Sequence, residues 1–125
     1  MPKIATAINC ISGRAQASVT TYLKNAHGVE CVDMVTAPGV NKLLADGLDI
    51  TITELINKGT GISVNGNGSR LIAIVGHHGC LGNPAAEAVQ RTQTLRAVRI
   101  VESWKLDTRV IGLWVDEQGN VSEIG

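Results

Sequence analysis

Cysteine and histidine are the side chains of this sequence best equipped for chemistry, and two of them stand three positions apart. His77 and Cys80 follow an apolar run, Leu71 to Val75, that breaks at Gly76. Such a run reads as a buried strand and the residues after it as a loop, so an imidazole and a thiol arrive together at the strand's carboxyl end. The pair suits a metal ion, and equally a satisfied buried contact, because two ligands do not close a metal site. Cys10, which follows another short apolar run from Ile4 to Ile8, is the candidate third ligand. Two thiolates and an imidazole are a set that zinc accepts in tetrahedral geometry. A fourth position left to water lets the metal lower that water's pKa towards neutrality and generate hydroxide.

For these three side chains to meet, the strands before them must be neighbours. Ile4 to Ile8 is β-compatible and is followed by Asn9 to Arg14, rich in residues that suit turns and caps. From Ala15 to about His27 the residues Val19, Leu23 and Ala26 fall at helical spacing, with Gly28 placed to end the helix. Val29 to Val35 reads as a second strand, and Asn41 to Ala45 as a short helix. Thr51 with Glu54 has the spacing of a capping box for a helix over Ile52 to Lys58. Asn83 as cap and Pro84 as first residue predict the start of the longest helix, which carries Ala88, Leu95, Val98 and Val101 towards Trp104. Arg109 to Val115 is a further strand, and Asp116 to Asn120 turns the chain into a last segment, Val121 to Ile124.

Strands alternating with helices imply an α/β fold, residues 1–125 forming a single domain with a mainly parallel central β-sheet flanked by helices. In such sheets ligands gather beyond the carboxyl ends of the strands, where strand order reverses. That is where Cys10, His77 and Cys80 are expected.

Composition narrows the partners. The chain has 125 residues with 11 basic and 11 acidic side chains and a net charge of +0, which gives no electrostatic case for nucleic acid or an anionic membrane. There is no Phe, and Tyr22, Trp104 and Trp114 are the only aromatics, leaving no stacking platform for bases. No run approaches the ~20 apolar residues of a membrane span, and the first residues lack the features of a signal peptide, so a cytoplasmic location is expected. Three cysteines argue against a disulfide framework.

The motifs, taken together, resemble those of the β-class carbonic anhydrases, especially their short, compact forms. The family's Cys-x-Asp-x-Arg motif after the first strand is similar to Cys10-Ile11-Ser12-Gly13-Arg14. Its Gly-His-x-x-Cys-Gly motif is similar to Gly76-His77-His78-Gly79-Cys80, with Leu81 inserted before Gly82. The resemblance extends to the Val110 to Val115 strand and covers nearly the whole chain, without the long amino-terminal helix of larger members. It implies Zn2+ held by Cys10, His77 and Cys80, Arg14 as half of the family's Asp–Arg pair, reversible hydration of carbon dioxide to bicarbonate by zinc-bound hydroxide, and a homodimer or higher homo-oligomer.

Ser12 departs from the pattern, standing where the family has Asp. A serine hydroxyl accepts a hydrogen bond and can orient a nucleophile, but it carries no charge and is no fourth ligand. The zinc is then expected to stay open, and Arg14 to be free for an anion such as bicarbonate or to take another carboxylate, Asp33 first. Hydrolysis of a carbon dioxide analogue such as carbonyl sulfide, and a non-catalytic zinc- or anion-binding homologue, are the alternatives. His78 is either a proton shuttle or an exposed loop histidine. Cys31 is expected in the core, and the glycine-rich stretch from Gly59 to Gly68 is left unassigned, with a mobile loop beside the site as one reading.

Overall fold

Ile4–Asn9 (β1) and Leu71–His77 (β3) are buried at every residue, as expected of strands covered on both faces. The computed structural model describes residues 2–125. These two strands form the centre of a five-stranded sheet whose other members are Cys31–Thr36 (β2), Arg109–Val115 (β4) and Val121–Ile124 (β5), in the order β2-β1-β3-β4-β5. The first four are parallel and β5 runs antiparallel to β4. β1 and β3 are direct neighbours, Thr6 opposite Ile72 and Ile8 opposite Ile74. The expected mainly parallel α/β sheet is therefore present.

Strand alternation divides the core in two. Ala5, Ala7, Leu71, Ala73, Val75 and Leu113 face one side, where helix Gly13–His27 (α1) packs Val19 and Leu23 onto them. Ile8, Ile72 and Ile74 face the other, beneath Val40–Asp46 (α2), Ile50–Gly61 (α3) and Glu87–Ser103 (α4), which contribute Val40, Leu44, Ile56, Ala97 and Val101. The connection leaving β1 thus lies on one face and that leaving β3 on the other. The crevice between them opens at the carboxyl ends of the two strands.

α1 ends as its sequence predicts but starts two residues before Ala15, at Gly13. Ser12 Oγ accepts from the Ala15 N–H at 3.3 Å, and Gly28 closes the helix with φ 66, its N–H reaching Lys24. Ala26 is exposed rather than part of the stripe. Other expectations need correction. α3 starts two residues earlier than the capping box suggests, because Asp49 Oδ1 takes the Ile52 N–H at 3.1 Å and Thr51 lies inside the helix. α4 starts at Glu87, after Ala86, because the side chain of Asn83 is engaged elsewhere and cannot cap. The glycine-rich stretch is not a loop beside the site. α3 runs through Gly61 into a π-helical turn, Ile62–Gly66, and Gly59 faces the Val35 side chain. This segment leads to the amino end of β3, while the site lies beyond the other end of that strand, some ~20 Å away at strand rise.

Cys31 is exposed, at the start of the edge strand, and not in the core. No helix among the described residues is long and apolar enough to cross a membrane.

Candidate metal centre

Cys10 follows the last residue of β1, His77 is the last residue of β3, and Cys80 lies three residues on. Because those strands pair in parallel, their ends coincide. The two sulfurs and a ring nitrogen all lie within 4.8 Å of one another, and the three residues are buried. The sulfurs of Cys10 and Cys80 are 3.7 Å apart. That separation is far beyond a disulfide bond and close to the ~3.8 Å edge of a tetrahedron with zinc–sulfur bonds of about 2.3 Å.

The imidazole is already set for a ligand. His77 Nδ1 lies 3.0 Å from the carbonyl oxygen of His78, an arrangement that places the proton on Nδ1 and leaves Nε2 with a bare lone pair. Nε2 is buried with no hydrogen-bond partner among the described residues. A buried orphan acceptor beside two thiols is costly unless something binds it. The donor set and this atom together fit a zinc ion.

The backbone around the thiols biases their ionisation. Burial opposes a charge on Cys10, but hydrogen bonds from the backbone N–H groups of Gly39 and Ser12 help outweigh it, and its pKa falls from 9.0 to about 7. The Gly39 N–H lies 3.5 Å from the sulfur. Burial and the adjacent Cys10 raise Cys80, with the N–H groups of Asn83 and Gly82 offsetting part of the rise. Gly39 reaches Cys10 because it crosses Gly82 at van der Waals distance. A Cβ on Gly39 would meet the Gly82 carbonyl and a Cβ on Gly82 would meet the Gly39 nitrogen at 2.6 Å, so the crossing admits only glycine at both.

Ser12 and Arg14 lie beside this centre on the α1 side. With His77, His78, Ser18 and Gln118 they line a cavity of about 560 Å³. Arg14 is exposed and has no carboxylate within ion-pair distance among the described residues. Asp33 is not its partner. Alternation along β2 puts that carboxylate on the opposite face from α1, where its Oδ2 accepts from Ser63 Oγ at 2.7 Å and from Asn67 Nδ2 at 2.9 Å. His78 is exposed, with its N–H on the Val115 carbonyl at 2.9 Å. A larger cleft of about 710 Å³, near Lys105 and Arg109, brings together no group of metal-ligating side chains among the described residues.

Sequence reasoning missed Gly39, Gly82, Asn41 and Gln90, all of which shape the ligand loops. The two glycines carry a weak signal, each standing in a turn next to a candidate ligand or strand end. Asn41 and Gln90 carry none, since a polar residue on a helix is assigned to solvent by periodicity alone.

The search of curated proteins found no match. Among solved structures, β-carbonic anhydrase isoform I of Trichomonas vaginalis is similar at 20% identity and a TM-score of 0.62, over 97% of this chain and 81% of that one. A tetrameric β-carbonic anhydrase of Sordaria macrospora is similar at 17% identity and 0.53, over 99% and 81%. A third, from Aspergillus fumigatus, stands at 15% and 0.52, over 98% and 74%. These likenesses concern the fold. A family model described as "Putative carbonic anhydrase" matches residues 1–125, the whole sequence, and the chain belongs to that family.

Proposed function

We propose that this protein is a zinc-dependent lyase that hydrates carbon dioxide reversibly to bicarbonate and a proton. The observation that carries the reading is the buried triangle of Cys10, His77 and Cys80, in which the His77 Nε2 is buried without a hydrogen-bond partner among the described residues. Cys10 Sγ, His77 Nε2 and Cys80 Sγ would hold the ion, which supplies a Lewis acid able to make water a nucleophile near neutral pH.

The remaining chemistry belongs to the chain. The His78 carbonyl fixes the tautomer of His77, and the Gly39 N–H stabilises the charge on Cys10. Ser12 Oγ, steadied by the Ala15 N–H, retains a lone pair and its own proton, so it can accept a hydrogen bond from the attacking water and fix its direction. Having no carboxylate, it cannot keep the proton, which leaves through the cavity to solvent. Arg14, free of an ion pair and on the cavity wall, neutralises the bicarbonate that forms. The same reading expects a homodimer or larger homo-oligomer. Ile11 and Leu81, next to two of the ligands, are 64% and 97% exposed, and apolar surface there favours a subunit contact.

A second reading has one observation in its favour. Because Ser12 is spent as a helix cap in place of an acid, a zinc protein that binds an anion without turning over is also consistent, as is hydrolysis of carbonyl sulfide by the same nucleophile. Stopped-flow hydration by zinc-loaded protein separates them. Hydration well above buffer, abolished in Cys80→Ala along with its zinc, supports the lyase. A wild type that is inert while Ser12→Asp gains activity would establish the binding reading instead.

A further inference from the structure

Between the ligand loop and the helices behind it lies a closed ring of buried amides. Gln90 Oε1 accepts from Asn41 Nδ2 at 3.2 Å, Asn41 Oδ1 accepts from Asn83 Nδ2 at 3.1 Å, and the Asn83 carbonyl accepts from Gln90 Nε2 at 3.1 Å. The ring joins α2, α4 and the loop after Cys80. Asn41, Asn83 and Gln90 are 2%, 1% and 1% exposed. We propose that Gln90 is the positioning residue of the metal centre, acting through this ring on the backbone that carries His77 and Cys80. The assignment rests on the zinc reading above.

Where the amide group of Gln90 points decides the matter. Its Nε2 lies 3.0 Å from the His77 carbonyl as well as 3.1 and 3.2 Å from those of Asn83 and Ala85, so one side chain binds the main chain on both sides of the ligand loop. Asn83, fixed by the ring and by Gln93 at 2.8 Å, presents its own N–H to the Cys80 thiol. The ring also rests directly on the strand. A Cβ at Gly76, the residue before His77, would stand 2.9 Å from Asn41 Nδ2 and 3.1 Å from Gln90 Oε1. Neither partner could be an apolar residue without orphaning the other, and burying three amides costs free energy that a Leu or Met core would not. What the amides supply in return is direction: a loop of mostly exposed residues is held at backbone atoms flanking two ligands.

The test uses the full chain, stripped of metal and titrated with cobalt(II), then with zinc against a competing chelator. Gln90→Met keeps the side chain's length and removes its donors. The expected result is a folded protein whose zinc affinity is lower by about 10- to 100-fold, as for other groups that orient ligands, with a shifted cobalt–thiolate absorption. Val101→Ala, a cavity on the same helix remote from the loop, should lower the melting temperature and leave both metal readouts alone. If Gln90→Met does not fold, Asn83→Ser opens the ring from the loop side and is read in the same way. Unchanged affinity and spectrum in the ring variant overturn the assignment alone. A wild type that takes up no cobalt overturns the zinc reading and this assignment with it.

Discussion

Cys10 and Cys80 share one buried site and part company in charge. The backbone N–H groups of Gly39 and Ser12 help draw Cys10 down to about 7, while burial and the adjacent Cys10 keep Cys80 protonated to higher pH. Metal binding needs both as thiolates, so it must expel whatever protons remain. Above about pH 7 the pair releases one proton, from Cys80, and below it two. From these thiols, then, the logarithm of zinc affinity should climb about one unit per pH unit above neutrality and about two below it. Chelator competition across that range checks this, and a slope that fails to steepen on the acid side would contradict the split. At this scale the sequence was informative about where the candidate ligands lie, because a short apolar run fixes where a strand ends and therefore where His77 and Cys10 emerge. It was silent about the amide ring, because Asn41 and Gln90 are distinguished from solvated polar residues only by what packs over them.

Among the elements, α3 and α4 show how local signals compete. Thr51 and Glu54 fit a capping box, yet Asp49 supplies the cap and the helix starts two residues earlier. Asp49→Ala should therefore cost about 1 kcal/mol, measured by denaturant unfolding, whereas Thr51→Ala should change stability by a few tenths at most. Asn83 and Pro84 carry an equally good helix-start signal and were misleading for a different reason. The tertiary ring captured the Asn83 side chain, and the helix waits until Glu87, after an Ala86 with no capping side chain. Placing a capping side chain there with Ala86→Ser should add about 0.5–2 kcal/mol, on the same measurement. The glycine-rich stretch was unreadable because glycine lowers helix propensity wherever it occurs, while here Ile56, Thr60 and Ser63 bury one side of a continuous helix.

For the molecule as a whole, alternating strand and helix signals were enough to give the sheet, since Ile72 and Ile74 on one face and Ala73 and Val75 on the other demand cover from both sides. The pairing of β1 with β3 was only a condition in the sequence, and it is what brings Cys10, His77 and Cys80 together. The core tolerates little loss. Leu113 is fully buried in the α1 face, and Leu113→Ala should cost about 2–5 kcal/mol, a large part of what a domain of this size has to lose. Cooperative unfolding at markedly lower denaturant is the expected result.

The two sulfurs that face each other at 3.7 Å are 70 positions apart in the chain. An ion shared between them would close more than half of the 125 residues into a ring, and unfolding would have to open it. Once the centre is saturated, each tenfold rise in free zinc adds about 1.4 kcal/mol to the folded state. The amount of folded protein in a cell would then follow its metal supply, and zinc starvation would act first as a proteostatic stress on this chain, sending the emptied protein to degradation.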